Sequence, residues 1–124
     1  MKELYTFKDN YTGITFELPY DEWRQKMSDI HDFMYHERPF VTVREFLAKM
    51  GVEEKDMVDT NGNPVNEDLC YTNMYFWSPA LKRQGKGWQQ RVDNGKLVMT
   101  FVATPVNWED IDLNDSNMVF PCIL

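Results

Sequence analysis

Residues 88–103 have the sequence WQQRVDNGKLVMTFVA, in which two arms of strand-forming residues flank the turn Asp93-Asn94-Gly95. Asn-Gly supplies the positive φ angles of a type I′ turn, which is the strongest short-range indication of a β-hairpin. Every second residue from Leu97 to Ala103 is apolar, as in a strand with one buried face. This stretch therefore predicts an antiparallel strand pair and a fold that contains a sheet.

A second hairpin is predicted at the N-terminus, where apolar and polar side chains alternate in residues 14–18. Tyr5 and Phe7 give the same period on the other arm. The connecting residues 9–13, DNYTG, are turn formers.

A long helix is predicted over residues 21–36, with Asp21 as its N-cap and Pro39 as the residue that prevents its continuation. Four apolar side chains at helical spacing form one stripe: Trp23, Met27, Ile30 and Met34.

A short helix is predicted over residues 43–50, because Thr42 and Glu45 have the spacing of a capping box and Gly51 suits the C′ position. Residues 70–77 are rich in aromatics and predict a strand, with a helix opened by Glu67 and Asp68 as the alternative. Residues 117–124 predict a last strand. Pro121 cannot donate to a ladder, so that last strand is expected at an edge, where pairing with a second copy is conceivable.

The order of strands, two helices and strands indicates an α+β fold, in which an antiparallel sheet of about five or six strands carries the helices near 21–36 and 43–50 on one face. No linker or repeat divides the 124 residues, so a single domain over 1–124 is expected. The first ten residues lack the apolar core of a signal peptide and no apolar run approaches a membrane span, so a cytoplasmic location is expected.

Motifs of catalysis are missing from the sequence: it contains no G-x-S-x-G, no P-loop and no G-x-G-x-x-G. Asp32 and His36 are one helical turn apart, and we expect them to pair with each other rather than to bind a metal. Cys70 and Cys122 lie in apolar contexts and are expected to be buried. The sequence therefore predicts no catalytic residue, no metal and no cofactor.

A basic and aromatic segment follows the strand predicted over residues 70–77. Its candidate partner-binding residues are Trp77, Lys82, Arg83, Lys86, Trp88 and Arg91. Tryptophan and arginine are enriched at protein interfaces, and the same residue types stack on bases and contact phosphates. The alternative is that the lysines are solvated and the tryptophans pack in the core.

Two acidic stretches form the other candidate surface. The first contains Glu53, Glu54, Asp56, Asp59, Glu67 and Asp68, and the second contains Glu109, Asp110, Asp112 and Asp115. If the two converge, they would form a negative surface that mimics nucleic acid and suits a basic groove; otherwise they are two solvated loops.

A net charge of −7 argues against general affinity for nucleic acid. We therefore expect a non-enzymatic binding protein that occupies a surface of a larger macromolecule, a protein or nucleoprotein. Two alternatives stay open: a single-stranded nucleic-acid-binding module that uses the segment 77–91, and a small enzyme with no recognisable motif. The short, acidic, aromatic- and methionine-rich profile is similar to that of accessory proteins carried by phages and mobile elements, including inhibitors of host defence.

Overall fold

The computed structural model describes residues 3–72, 83, 85 and 87–111, and these form two helices and seven strands. In chain order the elements are β1 (Leu4–Asp9), β2 (Thr15–Pro19), α1 (Tyr20–His36), β3 (Phe40–Thr42), α2 (Val43–Lys49), β4 (Leu69–Thr72), β5 (Gly87–Asp93), β6 (Lys96–Val102) and β7 (Val106–Asn107). Single 3₁₀ turns occur at Glu54–Asp56 and Trp108–Asp110. The α+β class with two helices is confirmed.

Both predicted hairpins form. β1 pairs antiparallel with β2, with Phe7 opposite Phe16, and β5 pairs antiparallel with β6. At the tip of the second hairpin, Asn94 and Gly95 have φ angles of 52° and 79°, as a type I′ turn requires.

Helix α1 buries the predicted apolar stripe from Trp23 to Met34. The prediction that Asp21 caps this helix is wrong. β2 continues to Pro19 and the helix begins at the next residue, so the capping position falls on a proline, which has no side-chain acceptor. Asp21 lies in the first turn, where a negative charge is favourable against the helix dipole.

Helix α2 begins with the predicted capping box. Thr42 Oγ1 accepts a hydrogen bond from the Glu45 N–H at 3.0 Å, and Glu45 Oε1 accepts one from the Thr42 N–H at 3.1 Å. After the helix, Gly51 has a φ of 95°, a conformation that favours glycine at the C′ position.

The strands form two sheets, not the single antiparallel sheet predicted. A four-stranded sheet has the order β2-β1-β6-β5, and a three-stranded sheet has the order β3-β4-β7. β1 and β6 pair in parallel, with Phe7 beside Met99, so the two hairpins join into one mixed sheet. Turn residues determine pairing within each hairpin but not the pairing between hairpins, which explains this difference. Residues 73–77 of the strand predicted over 70–77, and the whole strand predicted over 117–124, lie outside the described residues.

A single core connects the two sheets. Phe46 of α2 lies with its ring centroid 5.1 Å from that of Phe101 in β6 and 5.5 Å from that of Tyr71 in β4. Trp23 of α1 stacks on Phe7 of β1 at 5.1 Å. Both helices therefore pack on the face of the mixed sheet that carries Phe7 and Phe101. None of the described helices has the length and apolar character required for a transmembrane span.

Candidate functional site

The basic and aromatic segment is described only in part. Trp88 is 6% exposed and packs between Trp23 and Phe101, at centroid distances of 5.2 and 5.1 Å. Arg83 and Arg91 are exposed. A buried indole cannot stack on a base or contact a partner protein, so Trp88 is not part of a binding surface. Its position agrees with the alternative in which the ring packs in the core. Trp77, Lys82 and Lys86 lie outside the described residues.

The end of the first acidic stretch meets the second stretch in space. β4 pairs antiparallel with β7, which places Leu69 opposite Asn107. Just beyond this pair, the Trp108 N–H donates to the Asp68 carbonyl oxygen at 2.9 Å. Asp68 therefore lies beside the 3₁₀ turn that carries Glu109 and Asp110, and all three carboxylates are exposed.

The first acidic stretch is hydrogen-bonded to α2. Arg44 donates to the Val65 carbonyl oxygen at 3.0 Å and to Glu54 Oε1 at 3.3 Å. Met57 and Val65 are buried and joined by a backbone hydrogen bond of 3.0 Å, so they anchor the segment to the core.

The name acidic surface is used for the eight described carboxylates of the two stretches: Glu53, Glu54, Asp56, Asp59, Glu67, Asp68, Glu109 and Asp110. Asp59 is half-buried and the other seven are exposed. Lys55 is the one cation within residues 53–68 and 107–111, and its Nζ lies 3.3 Å from Glu53 Oε2. Asp112 and Asp115 lie outside the described residues.

Two exposed aromatic side chains that were not among the predicted binding residues accompany the acidic surface. Trp108 is 54% exposed and is followed directly by Glu109 and Asp110. Tyr11 is 52% exposed in the turn between β1 and β2. The sequence does not distinguish Trp108 from a core residue, because the apolar residues Val106 and Ile111 lie two and three positions from it.

Asp9 is the fully buried carboxylate of the described residues, and it organises the turn that carries Tyr11. It accepts hydrogen bonds from the Thr12 N–H at 3.1 Å, from Thr12 Oγ1 at 2.6 Å and from the Tyr71 hydroxyl at 2.5 Å. Burial raises the pKa of Asp9, although the hydrogen bonds from Thr12 and Tyr71 act in the opposite direction. Burial and the neighbouring Asp9 also raise the pKa of the Tyr71 hydroxyl. Because Asp9 is inaccessible, it acts on the turn and not on a ligand.

His31 and His36 have different neighbours in α1, and Cys70 is buried in β4. The expectation that Asp32 pairs with His36 is wrong: Asp32 Oδ1 lies 3.9 Å from His31 Nδ1, while the His36 ring packs against Tyr35 at 5.1 Å. Burial raises the pKa of the Cys70 thiol. Across the described part of the chain, no three His, Cys, Asp or Glu side chains are grouped so that they could hold a metal ion.

Two grooves lie along the acidic segment, one on each side of the β1–β2 turn. The first has a volume of about 470 Å³ and lies between residues 13–16 and residues 51–56. The second has a volume of about 310 Å³ and lies between residues 11–12 and residues 59–69.

Comparison of the chain with protein-family models, with curated proteins and with solved structures finds no match.

Proposed function

We propose that this protein is a non-enzymatic binding protein that uses its acidic surface and Trp108 to occupy a basic surface on a larger protein. The observation that supports this proposal is the β4–β7 pairing. Through it, Asp68 at the end of the first acidic stretch lies beside the turn that carries Trp108, Glu109 and Asp110, and the Trp108 side chain is exposed.

The charge balance of this surface explains why a basic partner is preferred. Two described cations, Arg44 and Lys55, form ion pairs with glutamates of this surface. The remaining negative charge steers a positively charged partner toward the surface and disfavours acidic competitors. Trp108 adds the apolar contact area that single tryptophans supply at many protein interfaces.

Such a surface would compete with nucleic acid for a basic groove, which is how a nucleic-acid mimic acts. This activity suits a cytoplasmic, single-domain accessory protein of the phage or mobile-element type, including an inhibitor of host defence.

The test is affinity capture from a nuclease-treated bacterial lysate with three versions of the tagged protein. One is unchanged, and one carries Asp68→Asn, Glu109→Gln and Asp110→Asn. The matched control carries Glu22→Gln, Asp32→Asn and Glu37→Gln, three exposed positions on or next to α1. Both variants remove three negative charges, so a difference in partner capture between them reports the position of the charges and not their number.

We expect the unchanged protein and the α1 control to retain the same defined partner, and the acidic-surface variant to lose most of it. Equal retention by both variants would contradict the proposal. Capture that disappears with nuclease and is lost with Arg83→Glu and Arg91→Glu would instead support the single-stranded nucleic-acid alternative, for which steep salt dependence is the second criterion.

A further inference from the structure

We propose that the partner contributes an extended basic peptide segment, which binds in the cleft formed by the two grooves beside the β1–β2 turn. This inference rests on the proposed function and specifies where and how the partner is recognised. This cleft consists of the 470 Å³ groove and the 310 Å³ groove together.

The first groove combines an apolar floor with negative charge. Ile14, Phe16 and Val52 line it, and all three are partly buried against the core. Glu53 and Asp56 line the same groove and are exposed. Lysine and arginine side chains bury their methylene stems on apolar surfaces while the charged end stays in a polar environment. The groove therefore matches the two parts of a basic side chain.

The second groove pairs an aromatic ring with a carboxylate. Tyr11 lies on one wall and Asp59 on the other. Asp59 Oδ1 accepts hydrogen bonds from the N–H groups of Asn61 and Asn63, at 2.9 and 3.0 Å. Within the described residues no donor reaches its Oδ2. A guanidinium group in this groove can lie against the Tyr11 ring and donate to that oxygen.

The two grooves are adjacent, because a residue that lines the first groove lies against a residue that lines the second. Gly13 lines the first groove and Thr60 lines the second. A Cβ atom placed on Gly13 would lie 2.4 Å from Thr60 Cγ2, so the β1–β2 turn rests directly on the turn at residues 59–63. An extended peptide that crosses this contact can place one side chain in each groove.

The negative charge of the cleft favours a basic peptide over nucleic acid and over a second copy of this chain. A phosphate backbone would meet Glu53, Asp56 and Asp59 and be repelled. A second copy of this chain also carries a net charge of −7 and is disfavoured for the same reason. A basic peptide is attracted by the same carboxylates.

Hydrogen bonds within the protein fix the conformation of the turns that form both walls of the cleft. On one side, the buried Asp9 holds Thr12, and the Gly13 N–H donates to the Asp9 carbonyl oxygen at 2.8 Å. On the other side, the backbone of Asp59 and Asn63 is joined by a hydrogen bond of 2.9 Å. A preorganised cleft avoids the entropic cost of ordering loops when a ligand binds.

The experiment is an NMR titration of the whole ¹⁵N-labelled protein with a hexa-arginine peptide, with hexa-glutamine as the neutral control. We expect saturable shifts of the amides in residues 11–16 and 51–60, and none with hexa-glutamine. Replacing Glu53 and Asp56 by Gln and Asn should weaken hexa-arginine binding about threefold to tenfold. The matched variant Glu22→Gln with Glu37→Gln, which changes the net charge equally, should leave the affinity within about twofold.

Shifts confined to Glu67, Asp68 and residues 108–110 would overturn the cleft but leave the proposed function intact. The absence of any shift on the acidic surface would overturn both. Equal weakening in the two double variants would show unspecific attraction and reject the cleft. Stronger perturbation of the same amides by a ten-nucleotide DNA strand, or concentration-dependent shifts without peptide, would reject the basic peptide in favour of nucleic acid or a second copy.

Discussion

At the scale of single residues, Asp9 is a carboxylate buried in the core among the described residues. Its side chain connects the β1–β2 turn, through Thr12, with β4, through the Tyr71 hydroxyl. A carboxylate inside a core is costly unless donors surround it, and here three donors do so. The turn that forms one wall of the cleft therefore depends on a residue that no ligand touches.

Tyr71→Phe removes one of those donors and leaves Asp9 Oδ1 buried without it. We expect the free energy of unfolding to fall by about 1–3 kcal/mol, the usual effect of an unsatisfied buried acceptor. Urea denaturation measures this change. Tyr35→Phe is the matched control because Tyr35 is 70% exposed, and it should change stability by less than about 0.5 kcal/mol. Equal effects of the two variants would show that the Tyr71–Asp9 hydrogen bond contributes little.

The raised pKa of Asp9 predicts a definite pH dependence of stability. The ordinary pKa of this carboxyl is 3.8, and burial raises it in the folded state. The folded protein therefore binds the Asp9 proton more tightly than the unfolded chain does. The contribution of Asp9 to the free energy of unfolding is fully present below pH 3.8, and it is lost as the pH rises through the pKa of Asp9 in the folded state.

Comparison with Asp9→Asn isolates this contribution, since the other carboxylates are shared. The unfolding free energy of the wild type minus that of the variant should decrease as the pH rises from about 3 to about 7. Urea titrations across this range measure the difference. A difference that grows with pH would mean that the folded pKa of Asp9 is lowered instead.

At the scale of secondary-structure elements, two local signals are confirmed, whereas the N-cap predicted at Asp21 is wrong. The capping box of α2 and the Asn-Gly turn between β5 and β6 both form as predicted. The cap is reinforced by an ion pair between Arg38 and Glu45. Burial alone would raise the pKa of Glu45, but hydrogen bonds from Arg38 and Thr42 outweigh it and lower the pKa.

Thr42→Ala should destabilise the protein by about 1 kcal/mol, because the Glu45 N–H at the start of α2 loses its acceptor. Thermal or urea denaturation measures the change. Thr42→Ser keeps the hydroxyl and should recover most of the stability. Ser28→Ala on the exposed side of α1 is the control, with a change below about 0.5 kcal/mol. If Thr42→Ser is as unstable as Thr42→Ala, the loss comes from the methyl group and not from the cap.

At the scale of the whole molecule, two sheets share one core. Phe46 contacts Tyr71 of the three-stranded sheet and Phe101 of the four-stranded sheet. Because the same buried side chains stabilise both sheets, neither is expected to open alone.

Native-state hydrogen exchange tests this shared stability. The slowest amides of β3 and β4 should open with the same free energy as those of β1 and β6, equal to the global value from denaturation. The exposed turn at 59–63 is the internal reference and should exchange faster. A clearly lower opening free energy for β3 and β4 would show two separately stable units.

The sequence could predict the acidic residues of the candidate site, but not which side chains the tertiary structure brings together or leaves exposed. The acidic residues were visible as two stretches, and their partial convergence was one of two open alternatives. It was decided by the pairing of Leu69 with Asn107. Trp88 was a candidate for binding, but packing against Trp23 and Phe101 buries it. Trp108 and Tyr11 were not selected, because exposure of a single aromatic depends on what the rest of the chain leaves uncovered.

The sequence by itself determined the two helices, the two hairpins and the α+β class, because caps, turns and periodicity depend on residues a few positions apart. Only the tertiary structure decided that β1 and β6 pair in parallel, that the strands divide into two sheets, and that Asp9 is buried beside Tyr71. These outcomes depend on which distant segments bury each other's apolar surface. That choice is a competition over the whole core, and no local pattern records its result.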